Sequence, residues 1–513
     1  MGLPDWLDPL PDAEQQRGLD GWAIEQLGIP GVDLMERAGA GLAEICVDAP
    51  PGPIVVVCGG GNNGGDGLVA ARLLREQGRE TRVLLLGDPE RLQGDARTNL
   101  ERLPGHRPEP FDSARLAGAA CIVDAILGTG FAGVPREPAA GAIQAINAAA
   151  TAGAWVVACD VPSGVDASTG EVSGPAVRAR RTVTFHAAKP GLWVSPGKQH
   201  AGAVTVVDIG IPRGRGPVEP GAGLIGPGVV AEVPRRDRES NKFTAGSVLV
   251  CGGSHGLTGA PAMAAIAAAR AGAGYVTIAA TASIAPILQA KMLEVMVAEL
   301  PETDEGAGPQ VLEALSRAER AGSVVLGPGL GREDRARTFA RVVLNKAPRP
   351  LVLDADGLNA IAGDLELVTL RHEPTVLTPH TGELARLLAT DSASVDARRL
   401  ASVRAAADQA DAIVILKGDD TIVAEPGEPG RIAISPGGAP ALATAGTGDV
   451  LAGVLGAFLA KGMEPFTAAC AAVHVHVTAG RLAAQAVGGV EGVIAGDVIA
   501  QLPRALTPPD SPN

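Results

Sequence analysis

The sequence predicts an α/β protein of two domains, each a largely parallel sheet covered by helices on both faces. Short β-branched runs alternate with stretches of helical spacing along most of the chain, which is the pattern of strands buried on both sides. The alternation stops once, in the Pro- and Gly-dense stretch IPRGRGPVEPGAGLIGPGVVAEVP beginning at Ile211, and then resumes. The boundary is placed near Ala222, giving domains 1–221 and 222–513. A chain of 513 residues is also too long for one core.

In the first half, strands are expected at Ile54 (IVVVC), Arg82 (RVLLLG), Cys121 (CIVDAILG), Trp155 (WVVACDVPSG), Thr182 (TVTF) and Ala203 (AVTVVDIG). The first of these runs into GGGNNGGDG, after which Leu68, Val69, Leu73 and Leu74 recur at helical spacing until Gly78. Such a strand-to-helix crossing lets backbone N–H groups and a helix dipole approach an anion. It is neither G-x-G-x-x-G nor a Walker loop, so its ligand stays open on spacing alone. The loops GGGNNGGDG, DAILGTGFAGVP and DVPSGVD all follow strands, and so should converge at the carboxyl edge of one sheet.

In the second half SVLVCGG, YVTIAA, SVVLGPGLG, PLVLDADGLNA, TVLTPHTGE and AIVILKG repeat the strand pattern. AGTGDVLAGVLGAFLAKG and FTAACAAVHVHVTAGRLAAQA then read as two packed helices, the first opening from a Gly-rich turn.

With Lys+Arg 43 against Asp+Glu 57, the net charge of −14 argues against nucleic acid or an anionic membrane as the main partner. The six cysteines show no C-x-x-C spacing and read as small core residues in a reducing compartment. The acidic, Pro-broken start MGLPDWLDPLPDAEQ resembles no signal or transit peptide, and no stretch reaches about 18 uninterrupted apolar residues, so a cytoplasmic protein is expected.

Asn62, Asn63 and Asp66 on the Gly-rich loop, Asp124 at a strand end, and Asp160 with Ser163 on DVPSG form an oxygen-rich group suited to a hard cation and, without His or Cys, poorly suited to zinc. In ALATAGTGDVLAG, the amides of Gly446, Thr447 and Gly448 can nest a phosphate, and Asp449 can take a proton from a hydroxyl approaching it. His380 and Lys417 each end a strand. His474 and His476, two apart on a helix, face different ways and read as structural.

On these motifs the chain closely resembles the bifunctional NAD(P)H-hydrate repair enzyme family, an epimerase fused to an ADP-dependent dehydratase. GIPGVDLMERAG, GGGNNGGDGLVAARLL, VDAILGTGFAG and DVPSGVDASTG match the epimerase pattern. GLTGAPAMAAIAAARAGAGYVTIA, GPGLG, LDADGLNA, LTPHTGE, ILKG and GTGDVLAG match the dehydratase pattern, with Ala445 where a Gly is common. The resemblance implies a Rossmann-like three-layer αβα sandwich followed by a ribokinase-like αβα domain. It implies an isomerase interconverting the R and S forms of NADHX and NADPHX, and a lyase that dehydrates the S form with ADP, giving NAD(P)H, AMP and phosphate.

By residue, the resemblance implies that Asn62, Asn63, Gly64, Gly65 and Asp66, with Gly128, Thr129, Gly130, Phe131, Ala132, Gly133 and Val134, hold the damaged dinucleotide beside a catalytic Asp160. Asn63, Asp124 and Ser163 would coordinate K+. In the second domain Ala260, Gly329, His380 and the catalytic Asp449 would face the hydrate. Lys417, Gly418, Asp419, Asp420 and Thr421 with Gly446, Thr447 and Gly448 would cradle ADP and its Mg2+. A homo-oligomer is expected. The competing expectation is a small-molecule kinase with a dinucleotide-sensing N-terminal domain, because the Gly-Thr-Gly-Asp nest alone serves phosphorylation equally well.

Overall fold

The computed structural model describes residues 3–302, 308–428 and 430–508. They fall into two compact units, one spanning Pro9–Ala222, the other joining Pro4–Asp8 to the chain from Gly223 onward. That corrects one expectation. The first residues were assigned to the first domain, yet β1 (Leu7–Pro9) lies beside β9 (Ala222–Ile225) at the edge of the second sheet. Three residues carry no readable periodicity, and the open edge of a sheet decides where such a strand pairs.

The first unit is built on β2 (Ile54–Cys58), β3 (Thr81–Leu85), β4 (Glu109–Pro110), β5 (Cys121–Ala125), β6 (Trp155–Cys159), β7 (Arg181–Phe185) and β8 (Ala203–Val207). They lie in the order β4-β3-β2-β5-β6-β7-β8, all parallel. Successive residues feed opposite cores: Val56, Cys58, Val123 and Ala125 pack on one face, Val55, Val57 and Ile122 on the other. The chain leaves β2 toward β3 on one side and returns to β5 on the other. That reversal opens a crevice at their carboxyl ends, where the Gly-rich loop and the loop after Ala125 meet.

The second unit carries β9, β10 (Ser247–Cys251), β11 (Tyr275–Thr281), β12 (Met296–Leu300), β13 (Ser323–Leu326), β14 (Leu351–Leu353), β15 (Thr375–Leu377), β16 (Ile413–Leu416), β17 (Ile422–Ala424) and β18 (Ile432–Ile434). Their order is β1-β9-β18-β17-β16-β15-β14-β13-β10-β11-β12. From β12 to β16 the pairs are parallel, while β17 and β18 turn antiparallel. Here the reversal lies between β10 and β13, so the loops after Cys251 and Leu326 share a crevice: Gly253 N–H donates to Pro328 O at 2.9 Å and Ser254 Oγ to Gly329 O at 2.9 Å. The two expected helices are Thr447–Ala460 and Pro465–Val487. All six cysteines are free and buried, and no described helix is long and apolar enough to cross a membrane.

Candidate active sites at the two switch points

The many glycines of GGGNNGGDG divide into two kinds. A Cβ on Gly59 would sit 2.1 Å from Ile126 O, on Gly64 2.0 Å from Gly59 O, on Gly65 2.6 Å from Met35 Sδ and on Gly67 2.7 Å from Ala125 Cβ. Gly60 and Gly61 instead meet nothing within 4 Å and border a cavity of about 610 Å³. Most of the glycines of the run therefore seat the helix Asn62–Glu76 tightly on the sheet, while Gly60 and Gly61 are open. Gly64 and Gly65, expected to hold the dinucleotide, are packed on their Cβ side and lie outside the wall of the cavity. Its wall does include Asn62, Asn63, Asp66, Gly128, Thr129, Gly130, Phe131 and Asp160. Ala132, Gly133 and Val134 lie outside that wall, with Val134 59% exposed, because the loop has already turned outward.

Asp160 is the centre of this cavity. It follows β6 with φ 65°, a left-handed conformation that an Asp adopts only where its surroundings impose it. Its Oδ2 accepts from Thr129 N–H at 3.0 Å and from the Thr129 hydroxyl; its Oδ1 accepts from Lys189 Nζ at 2.7 Å and Thr184 Oγ1 at 3.1 Å. Lys189 is 1% exposed, with its other bonds to Thr184 Oγ1 at 2.8 Å and Phe185 O at 3.1 Å. Burial opposes ionisation of Asp160, but the Lys189 charge and the Lys189 and Thr129 hydrogen bonds outweigh it and hold the carboxyl below its ordinary value. Asp66 faces the same cavity without such a partner. Burial, then the charges of Asp160 and Asp20, push its carboxyl well up. Asp20, held by Gln16 Nε2 at 2.9 Å, is also raised, chiefly by burial.

Beneath the cavity, Asp124 and Ser163 join two of the loops. Ser163 Oγ donates to Asp124 Oδ1 at 2.6 Å, Ser163 N–H to Asp124 Oδ2 at 2.8 Å, and Leu127 N–H to Ser163 Oγ at 2.9 Å. Burial pushes the Asp124 carboxyl up to about 6 against these bonds. Beside the Gly128 loop, where a Cβ would stand 3.1 Å from it, the Asn63 carboxamide Oδ1 is buried without a hydrogen-bond partner, as is its Nδ2. A buried amide left unpaired beside a buried carboxylate and hydroxyl is the imbalance that a cation coordinated by oxygens corrects. The donors fit a hard cation; among the described residues no cluster of three His, Cys, Asp or Glu side chains offers a tighter metal site.

In the second unit Gly446, at φ 90°, turns the chain into the helix Thr447–Ala460 and is backed by Met263, whose Cε a Cβ would meet at 2.5 Å. A cavity of about 330 Å³ has Lys417, Gly418, Asp419, Thr421, Thr447 and Gly448 in its wall. Gly446 shapes this turn from behind. Asp420, expected to face the nucleotide, is turned inward: Arg399 Nε donates to its Oδ2 at 3.0 Å, and Arg399 Nη2 also binds Lys417 O at 3.3 Å. It holds the loop rather than lining it. His476 contributes to the same wall, with its Nε2 buried and unpartnered; burial drives its imidazole down to about 4, so it is neutral.

Lys417 Nζ lies 2.9 Å from Asp354 Oδ1 and 3.7 Å from Glu383 Oε2. Asp354 is buried and also accepts from Thr378 Oγ1 at 2.7 Å. Burial depresses Lys417, but Asp354 and Glu383 more than reverse this and keep it charged. Asp449, in the first turn of its helix, has no such direct pair. Burial and the charge of Asp354 push its carboxyl up to about 7, with Lys417 pulling the other way and Asp356 and Glu383 adding to the rise. Ala260 and Gly329 are neighbours, since a Cβ on Gly329 would stand 3.3 Å from Ala260 Cβ. His380 caps the helix Thr381–Leu387, its Nδ1 accepting from Gly382 N–H at 3.0 Å, with its side chain 56% exposed.

Four charged residues in these sites were not singled out from sequence: Lys189, Asp20, Asp354 and Glu383. Lys189 had a usable signal, because FHAAKPGLWV sets a lone lysine in an apolar run, where an ammonium stays only when paired. Asp20, on the helix Ala13–Glu25, offered none, since it reaches the cavity from far along the chain.

Comparison with known proteins agrees with this division. A family model described as NAD(P)H-hydrate dehydratase matches residues 248–504, and one described as YjeF-related protein N-terminus matches residues 31–191. The bifunctional NAD(P)H-hydrate repair enzyme of Moorella thermoacetica is 40% identical, covering 96% of each chain. That of Salinibacter ruber is also 40% identical, over 97% of this chain and 96% of its own. The crystal structure of the ADP/ATP-dependent NAD(P)H-hydrate dehydratase from Bacillus subtilis, co-crystallised with ATP and Mg2+, is 27% identical, with a TM-score of 0.46, and covers 54% of this chain and 94% of that one. With near-complete coverage at this identity, and with both of its units matched in order, the chain belongs to the bifunctional NAD(P)H-hydrate repair enzyme family.

Proposed function

We propose that the first domain interconverts the R and S forms of NADHX and NADPHX, and that the second dehydrates the S form with ADP to give NAD(P)H, AMP and phosphate. The observation that carries this is Asp449 in the first turn of the helix Thr447–Ala460, next to Gly448, where a Cβ would stand 3.5 Å from Lys417 Nζ, with its carboxyl pushed up to about 7. Hydroxide leaves carbon poorly, whereas phosphate leaves well. Asp449 takes the proton of the substrate hydroxyl as its oxygen bonds to the β-phosphorus of ADP and the bond to AMP breaks. The C–O bond then breaks with loss of phosphate, and a proton leaves the adjacent ring carbon as the double bond returns. The Thr447 and Gly448 backbone and Lys417 carry the phosphate charge. Mg2+ bound with the nucleotide supplies further neutralisation. Asp419, a carboxylate in that wall that already accepts from Gly438 N–H at 3.0 Å, would help hold such an ion.

Inverting the hydroxyl-bearing carbon in the first domain needs an acid as the hydroxyl departs and a base as water returns on the other face. Asp160, held ionised by Lys189, is placed to act as the base, and Asp66, whose carboxyl burial raises and which lines the same cavity, to act as the acid. K+ held by Asn63 Oδ1, Asp124 and Ser163 would supply a fixed charge that ties the three loops together.

Separated R and S hydrates, with and without ADP, test the whole scheme by chromatography. Asp449→Asn is expected to abolish ADP-dependent dehydration and spare epimerisation, and Asp160→Asn the reverse. Equal loss of both activities in either variant refutes the division of labour, and a stable phosphorylated product would mark a kinase instead.

A further inference from the structure

We propose that a small cationic hollow beside the Gly327–Gly331 turn is a phosphate subsite for the hydrated dinucleotide, holding a phosphate remote from the reacting ring. The inference rests on the dehydratase activity proposed above. The hollow, of about 190 Å³, is walled by Gly331, Arg332, Arg337, Asp356, Asn359 and Arg386. Three guanidinium groups face one carboxylate there, in a chain whose net charge is −14. The wall carries three arginines to one carboxylate, with Asp334 3.8 Å from Arg337 just outside it, so the hollow is cationic within a chain of acidic balance and suits an anion.

Those arginines have donors to spare. Arg332 Nε is 3.6 Å from Asp356 Oδ1 and Arg337 Nη1 is 3.8 Å from Asp334 Oδ1, both too long for hydrogen bonds. Arg386 uses only Nε, donating to Asn359 Oδ1 at 3.0 Å, which orients its fork. Asp356 is itself engaged, accepting from Gly331 N–H at 2.9 Å and Asn359 Nδ2 at 3.2 Å, so it is less able to repel an anion.

Position selects the ligand. Gly331 follows two residues after Gly329, which the hydrate is expected to touch. The hollow shares no wall residue with the cavity at Lys417 and Gly448, so it is not part of the ADP site. Asp449 feels the charge of Asp356 from the one and of Lys417 from the other. The hollow is large enough for one phosphate group with water and too small for a nucleotide. Two groups on the substrate have this chemistry: the pyrophosphate, common to both forms, and the 2′-phosphate found only on NADPHX.

Steady-state dehydration of S-NADHX and S-NADPHX at saturating ADP separates these. In Arg337→Gln/Arg386→Gln, KM for the hydrate is expected to rise about tenfold or more, with KM for ADP and the epimerisation rate unchanged. The wild-type KM should rise with salt and that of the variant should not. Arg332→Gln, at a 75% exposed side chain with only the loose Asp356 pair, guards against misfolding and is expected to give a smaller rise in the same direction. A rise confined to NADPHX assigns the hollow to the 2′-phosphate, and an equal rise for both forms assigns it to the pyrophosphate. Unchanged KM for both hydrates, with wild-type turnover intact, overturns the subsite and leaves the dehydratase standing. If the unaltered chain dehydrates neither hydrate, both proposals fall together.

Discussion

Each domain sets one lysine, Lys189 buried and Lys417 partly exposed, near one acidic side chain of its candidate site, and the two arrangements shift the two carboxyls in opposite directions. In the first, Lys189 binds Asp160 directly, at 2.7 Å, and keeps it ionised. In the second, Lys417 is engaged by Asp354 at 2.9 Å, and Asp449 is left among like charges with a carboxyl at about 7. Asp160 directly follows a strand of a parallel sheet, whereas Asp449 lies in the first turn of a helix. The difference teaches that residue type alone does not set such a carboxyl's charge: burial raises both, and the ammonium held directly against Asp160 but not against Asp449 reverses that rise in only one of them.

The comparison breaks most visibly at Lys189. Lys189→Met leaves Asp160 buried with no counter-charge, so its carboxyl should rise and the first domain should lose about 3–5 kcal/mol of stability, seen by chemical denaturation. Epimerisation should fall with it. A variant as stable and as active as the parent would mean that this pair is dispensable.

Asp449 behaves the other way, and pH exposes it. As a base it works only when deprotonated, so dehydration at saturating substrate should climb as pH rises through about 7. Its effect on stability has the opposite sign. The folded chain holds the proton up to about 7, whereas the unfolded chain releases it near 3.8, so the contribution of Asp449 to stability declines as pH rises across that interval. Asp449→Asn removes the buried charge; at pH 8 it should melt higher than the parent while its dehydration rate falls by roughly 10²–10⁴. A pH-independent dehydration rate, or a lower melting point for the variant, would contradict the assignment.

The smallest effect tests the orphaned amide. Asn63→Ala should erase the dependence of melting temperature and epimerisation on K+ over Li+, with only a few-fold change in epimerisation at high K+. The parent showing no preference among monovalent ions would remove the cation from the scheme.

Much of this was legible in the sequence where local pattern and burial agree. The strands at Ile54, Cys121 and Trp155 are β-branched runs buried on both faces, and each appears in its expected place. The loops after them converge because a parallel sheet puts such loops on one edge. MVAEL at Met296 and the β17–β18 pair went unread, being three to five residues without a clear period. Within the candidate sites, Asp160 and Thr129 line one cavity and Lys417 another, with Asp449 in the helix turn that follows Gly448. The motifs did not tell which glycines border the cavity and which pack on the sheet, as Gly64 and Gly65 do. They did not tell that Asp420 turns back to Arg399.

By itself, then, the sequence determined the two-domain α/β architecture, the edge of each sheet that carries the chemistry, and the family, because alternation, Gly-rich turns and ordered motifs are local properties of the chain. Only the tertiary structure decided which carboxyls are charged, which glycines are open, and which lysine belongs to which acid. Those depend on distances of a few ångströms between residues far apart in sequence, such as Asp20 and Asp66 beside Asp160, or Asp354 beside Lys417, and on the water that burial removes from around them.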